Sequence, residues 1–317
     1  MAELVGIARL AASGPLLEAK RVVEYRQLPT RKLLNRCSNP EMPFRWTINP
    51  YRGCEYGCKY CYARYTHGFM ELRDPEEFEN RIFAKAVTGP GFRAELAKVP
   101  PGEGIALGTA TDPYQPAERR YQITRRILRV FAEAFGHRLF VTTKSDLVAR
   151  DVDLLTEVHQ RHWLRIGMTV TTLDAGLARA LEPRAPRPDL RLEAVRKLAS
   201  AGLRVGVQCS PVLPLITERE LPALARAAAD AGACSFVGHA VFLKPEALSV
   251  FLPFLEARFP NLAAKYRQRF ANRAWLPREY TERLARKICE ARASVGLRDR
   301  DRGEEWRPLG PQLELGF

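Results

Sequence analysis

Short apolar runs alternate with amphipathic stretches through the middle of the chain. Runs with β-branched residues at Trp46–Pro50, Gly104–Thr109, Leu139–Thr143, Leu164–Thr171, Leu203–Cys209 and Ser235–Leu243 predict buried strands. Between them, apolar residues at helical spacing predict helices over Ala117–Phe135, Asp151–Arg161, Asp174–Leu181, Leu190–Ala201 and Glu218–Ala231. In the first of these, Ile123, Ile127, Phe131 and Phe135 share one face, and Arg125 and Arg129 fall on the other as a solvated surface. This βα order predicts a parallel sheet covered by helices. The expected fold is α/β, a partial (β/α)6 TIM-like barrel with a C-terminal helical extension.

The flanks have a different pattern. Up to about Phe44 the chain reads as an extended lead-in, because Pro15, Pro29, Pro40 and Pro43 break any long helix. The extended stretch Arg81–Val87 belongs beside the barrel rather than in it. After Lys244 the pattern is helical over Pro245–Phe259, Asn261–Phe270 and Arg278–Val295, with Pro277 at the start of the last helix. The expected divisions are an extension at 1–44, the barrel at 45–244, a helical region at 245–296 and a polar tail at 297–317. A hydrophobic fraction of 46% suffices for a sizeable core. Glu3, Arg9 and Glu18 interrupt the N-terminus, so no signal peptide or membrane span is expected, and the location implied is cytoplasmic. A net charge of +14 favours polyanionic partners, although arginines spread along the chain equally suit solvated faces.

Seven cysteines are present, and three of them cluster: Cys54, Cys58 and Cys61, spaced C-x3-C-x2-C, directly after the first strand. That position is the C-terminal mouth of a barrel, where active sites of this architecture form. Gly53 and Gly57 let the backbone curl so that the thiolates converge. Thiolates are the usual ligands of iron–sulfur clusters, and three of them on a four-iron cubane leave one iron open to a small molecule. The alternative is structural zinc in a non-catalytic DNA-binding module, with His67 as fourth ligand. Cys37, Cys234 and Cys289 are too scattered to suggest a second cluster, and His159 and His162 read as surface residues.

The cysteine spacing, with Tyr60 before the third cysteine, resembles the radical S-adenosylmethionine (SAM) superfamily. Further motifs narrow the likeness: Asn49-Pro50-Tyr51-Arg52-Gly53-Cys54, Gly108-Thr109-Ala110-Thr111-Asp112-Pro113-Tyr114-Gln115-Pro116, Val141-Thr142-Thr143-Lys144-Ser145, Val170-Thr171-Thr172-Leu173-Asp174, Leu181-Glu182-Pro183-Arg184 and Ser210-Pro211-Val212-Leu213-Pro214. Together they cover nearly the whole chain and resemble the bacterial spore-photoproduct-lyase-like branch of the "DNA repair photolyase" type. The resemblance implies a [4Fe–4S] cluster on Cys54, Cys58 and Cys61, with SAM chelating the fourth iron. An electron from the cluster would cleave SAM to methionine and a 5′-deoxyadenosyl radical, which abstracts hydrogen from a substrate. It further implies a reductant such as flavodoxin or ferredoxin and a nucleic-acid substrate, in DNA repair or modification. A protein or small metabolite is the other substrate class.

The resemblance also assigns roles. Lys144, ending the third strand, would bind the SAM carboxylate, and a compact ammonium suits that task. Thr111 and Asp112 would lie near the SAM amino group, although Asp-Pro also opens turns. Tyr60 and Tyr62 would contact SAM and are candidates for relaying a hydrogen atom. Thr169 or Thr171 could hydrogen-bond the SAM ribose or carboxylate. The lyases need a cysteine just after the second strand to quench the product radical; here Thr109 stands at that position. Cys209, ending the fifth strand, could face the same cavity and replace that thiol. Tyr266, Phe270, Trp275 and Tyr280 are interleaved with arginines, and packing is the better account of them. Finally, Gln312-Leu313-Glu314-Leu315-Gly316-Phe317 resembles peptides that dock bacterial proteins on the sliding clamp.

Overall fold

The computed structural model describes residues 4–19, 22–30 and 32–297. In chain order the strands are β1 Leu16–Ala19, β2 Glu24–Leu28, β3 Leu34–Arg36, β4 Trp46–Ile48, β5 Tyr51–Arg52, β6 Arg81–Lys85, β7 Gly104–Leu107, β8 Arg138–Thr143, β9 Trp163–Thr169, β10 Val205–Val212 and β11 Ser235–Ala240. One sheet has the order β11-β10-β9-β8-β7-β4-β3. Its six strands from β4 to β11 are mutually parallel and lie side by side in chain order; only β3, at the edge, runs antiparallel. That is the expected partial barrel. The strands do not close on themselves, since β11 and β3 stand at opposite edges of the sheet.

Strand parity separates the two faces of this sheet. Leu139 and Val141 of β8, Leu164, Ile166 and Met168 of β9, and Val205 and Val207 of β10 are fully buried. They form the helix-facing layer of the core. The other face lines the barrel interior: Gln208 lies directly over Gly167, and Arg165 reaches Ser235 with a 2.7 Å hydrogen bond. Helix Arg278–Ala293 covers the outer face of β11, where Ile288 abuts Gly238. No helix among the described residues is long and apolar enough to cross a membrane.

Three expectations are corrected. The segment before Phe44 is more than an extended lead-in. It holds helix Gly6–Ser13, and β1 and β2 join β6 and β5 in a second sheet. Tyr25 and Leu28 of β2 are buried, and Leu28 packs with Ala11, Met70 and Phe83. The helix expected over Ala117–Phe135 is broken in two, Ala117–Tyr121 and Ile123–Ala132, at Gln122 with φ 49°. The buried Glu118 carboxylate explains the break, because it accepts the N–H groups of Thr124 and Arg125, free donors at the new helix start. Phe135 lies beyond that helix and is exposed, while Arg125 pairs with Asp151 and Asp153. His162, expected on the surface, is buried and stacks on His137.

Candidate active site

The cysteine loop leaves β5 at the barrel mouth. Gly53 has φ 78°, and a Cβ there would meet the carbonyl oxygens of Phe78 and Arg81 at 2.7 and 2.9 Å, so only glycine fits. Gly57, φ 62°, makes the second left-handed turn. Neighbouring segments fix the loop through its backbone. Cys54 N–H donates to Phe78 O (2.9 Å) and Lys59 N–H to Leu181 O (2.9 Å). The Gly53 carbonyl accepts from the Thr111 hydroxyl (2.6 Å) and the Gln115 amide (3.0 Å), while Gln115 Oε1 accepts from Glu55 N–H (3.0 Å). Gln115 thus clamps the chain on both sides of Cys54. The buried Arg64 pairs with Glu79 and donates to Cys58 O (3.1 Å).

This scaffold gathers three thiols into mutual electrostatic range. Burial pushes each above the ordinary cysteine range, Cys58 to about 12, with Lys144 beside Cys58 and Arg64 beside Cys61 pulling the other way. Thiols give up their protons on binding metal. His67, the fourth ligand of the zinc alternative, instead packs edge-on to Phe78 and Phe83, with Nε2 on the Arg81 carbonyl at 3.0 Å. Burial lowers its pKa to about 4. The donor set fits a cubane with one open corner better than zinc.

Beside the thiols lies a buried charge network. Lys144 Nζ is 3.4 Å from Cys58 Sγ, 3.2 Å from Tyr60 OH and 3.0 Å from Glu182 Oε1. The fully buried Glu182 also accepts hydrogen bonds from Tyr60 OH and from the Thr171 hydroxyl (3.0 Å), and it pairs with Arg191. Arg191 in turn donates to the carbonyls of Pro186 (2.8 Å) and Thr169 (3.1 Å). Burial opposes charge on every member, but the mutual attractions win. Lys144 is held above its ordinary pKa by Cys58, Glu182 and Tyr60, and Glu182 well below its own by Arg191 and Lys144.

Tyr60, Lys144 and Thr171 therefore meet at one point, next to Cys58. Thr111 and Asp112 lie beside the loop, but their polar atoms serve the protein. Asp112 accepts from Tyr114 N–H (2.9 Å), the Thr143 hydroxyl (2.6 Å) and Lys144 N–H (2.8 Å). Through these bonds the pair positions the cysteine loop and the Lys144 backbone. Tyr62 donates to the Thr109 carbonyl, and the Thr109 hydroxyl pairs with Asn49 (3.1 Å). Cys209 is misplaced by the sequence expectation. Its Sγ lies against Gly238, between the sheet and helix Arg278–Ala293, on the face opposite Gln208 and Ser210. Burial pushes its pKa up to about 12. Glu182 and Arg191 were missed as site residues; the Glu182-Pro183 motif was visible, but nothing local marked it as the counter-ion of Lys144.

A parallel partial barrel with a three-cysteine loop at its mouth defines the class, and comparison with known proteins agrees. The pattern described as "Radical SAM superfamily" matches residues 48–228. An uncharacterized protein of Mycobacterium tuberculosis is 31% identical over 301 residues, covering 93% of this chain and 86% of that protein. One from Methanocaldococcus jannaschii is 28% identical over 207 residues, covering 62% and 71%. Among solved structures, spore photoproduct lyase complexed with dinucleoside spore photoproduct has a TM-score of 0.64 at 18% identity, covering 86% of this chain and 79% of that one. A point mutant of spore photoproduct lyase gives 0.63 at 18%, covering 84% and 78%. The chain belongs to the radical SAM superfamily and is a radical SAM enzyme.

Proposed function

We propose that this enzyme acts on nucleic acid, in DNA repair or modification, with Cys54, Cys58 and Cys61 holding a [4Fe–4S] cluster and Lys144 receiving the SAM carboxylate. The observation that carries the cofactor assignment is the Lys144 ammonium 3.4 Å from Cys58 Sγ, held charged by Glu182. When bound, the cluster and SAM supply hydrogen abstraction. The chain's own residues bind, orient and exclude water. Glu182 and Arg191 fix the lysine, Tyr60 offers a hydroxyl beside it, and the Thr169 side chain lies on the interior face two residues beyond Gly167. Two features support nucleic acid as substrate: the net charge of +14, and a fold shared with a lyase solved with a dinucleoside.

No thiol stands where the lyases are expected to carry one. Thr109 occupies the position and Cys209 faces the helices, so the reading is another reaction on nucleic acid rather than spore photoproduct repair. The electron donor expected is a flavodoxin or ferredoxin. The sliding-clamp peptide Gln312–Phe317 lies outside the described residues and stands as a proposal, tested by clamp pull-down against a chain cut after Pro311. The decisive experiment incubates the reconstituted enzyme with dithionite, deuterated SAM and nucleic acid. Faster SAM turnover, or label in the nucleic acid, supports the reading; label only in a protein or metabolite overturns it.

A further inference from the structure

Cysteine-loop residues beyond Cys61 form a short 3-10 helix, Tyr62–Met70, in which Tyr62 and Tyr65 share one side. That side meets the segment after β11 in register. The Tyr62 ring is 5.0 Å from Phe242, and Lys244 Nζ sits 3.5 Å over the Tyr65 ring. Phe242 in turn stacks on Trp275, 4.3 Å between centroids and 18° between planes. Trp275 is 63% exposed, unlike Tyr266, Phe270 and Tyr280, which are buried as packing predicts. A large aromatic held flat on one face and open on the other has no packing account, and it extends an aromatic row that starts one residue from a cluster ligand.

Cations without an ion-pair partner flank that row. Arg52 is opposite Phe83 across β5 and β6, so Lys85 is its diagonal neighbour on the same face. Tyr65 lies within electrostatic range of Arg52. Among the described residues, no hydrogen bond or ion pair joins the Arg52 or Lys85 side chain to another group, although Lys85 is only 6% exposed. Burial and Arg52 lower the Lys85 pKa to about 7, and the pull of Glu95 does not make up the difference. Neighbouring cations without a contacting anion are costly, the more so where one of them is buried, and a phosphate beside Arg52 would relieve the cost.

We infer that this rim is a nucleotide seat: Trp275, backed by Phe242, stacks on a base with its open face, and Lys244 and Arg52 hold adjoining phosphates, with Lys85 behind Arg52 adding positive charge. Aromatic faces interleaved with cations are what single-stranded nucleic acid requires. The inference rests on the nucleic-acid reading above and adds the surface that does the binding. Anisotropy of a fluorescein-labelled single-stranded 12-mer DNA, titrated with cluster-loaded enzyme, tests it. Trp275→Ala should weaken binding about 5- to 100-fold, and Trp275→Phe should restore most of it. Lys244→Met should reduce the slope of log affinity against log salt by about one. Circular dichroism and iron content serve as folding controls. Wild-type binding with Trp275→Ala within twofold of it would overturn the seat alone. Failure of the wild type to bind DNA would remove this inference and the nucleic-acid reading together.

Discussion

The Lys144–Glu182–Arg191 network gives the sharpest test of how this site is built. Glu182→Gln keeps the size of the side chain, and the amide can still accept from Tyr60 and Thr171. What is lost is the charge facing two cations, Arg191 with a side chain 1% exposed and Lys144 at 14%. Breaking a buried pair from one side costs about 3–5 kcal/mol. Lys144 can turn partly to solvent, so the lower end, about 3 kcal/mol, is expected here, and about 5 kcal/mol for Glu182→Ala, which also strands the two hydroxyls. At roughly 2 °C per kcal/mol for a chain of this size, Glu182→Gln should lower Tm by about 6 °C. The pH dependence has a definite sign. The folded pKa of Glu182 lies below its ordinary 4.5, so its contribution is full above pH 4.5 and is lost as pH falls below it. Urea unfolding of the metal-free protein at pH 7 and pH 4 measures both. A change below about 1 kcal/mol at pH 7, or additivity with Lys144→Met, would refute the coupling.

Other consequences follow from single positions. Gly53→Ala should cost more than about 2 kcal/mol and abolish iron loading, because backbone carbonyls block its Cβ; Gly57→Ala, whose Cβ would meet only the Glu79 side chain at 3.5 Å, should cost about 1–2 kcal/mol and keep iron, as metal analysis can check. His162 donates from Nε2 to Phe131 O (2.7 Å) and accepts the His137 N–H at Nδ1 (3.1 Å), so it is neutral in the fold, and burial lowers its pKa to about 4. Its stabilisation is full above pH 6.5 and should fall by about 3 kcal/mol as pH drops to 4, a slope that His162→Gln would flatten in chemical denaturation. Cys209→Ala should leave SAM cleavage and hydrogen transfer unchanged, whereas Cys209→Ser, burying a hydroxyl, should cost about 1–3 kcal/mol of stability without altering the chemistry.

Much of this was legible in the sequence because it is local. Each barrel strand is a short apolar run, and the cysteine spacing lies within about ten residues of chain. What escaped depends on distant partners. β2 pairs with β6, Tyr25 opposite Ile82, and nothing near Glu24–Leu28 announces that partner. Glu182 became a site residue only when the fold brought Lys144 and Arg191 to it. Cys209 shows how little it takes to err in a strand. The expected end of the strand was right to within three residues, but side chains alternate, and being one position from Gln208 puts the thiol on the outer face. Trp275 was grouped with packing aromatics because helical spacing suits its neighbours, while the residue itself lies outside any helix.

The central claim is an iron cubane with one corner free, set beside the Lys144 ammonium. Electron paramagnetic resonance of the anaerobically reconstituted, dithionite-reduced protein tests it most directly. The expected result is a [4Fe–4S]+ signal that shifts when SAM is added, keeps its iron in Lys144→Met but loses most of the SAM response, and disappears when Cys54, Cys58 and Cys61 are replaced together. A protein that binds zinc without iron or sulfide, or a cluster signal indifferent to SAM, would contradict it.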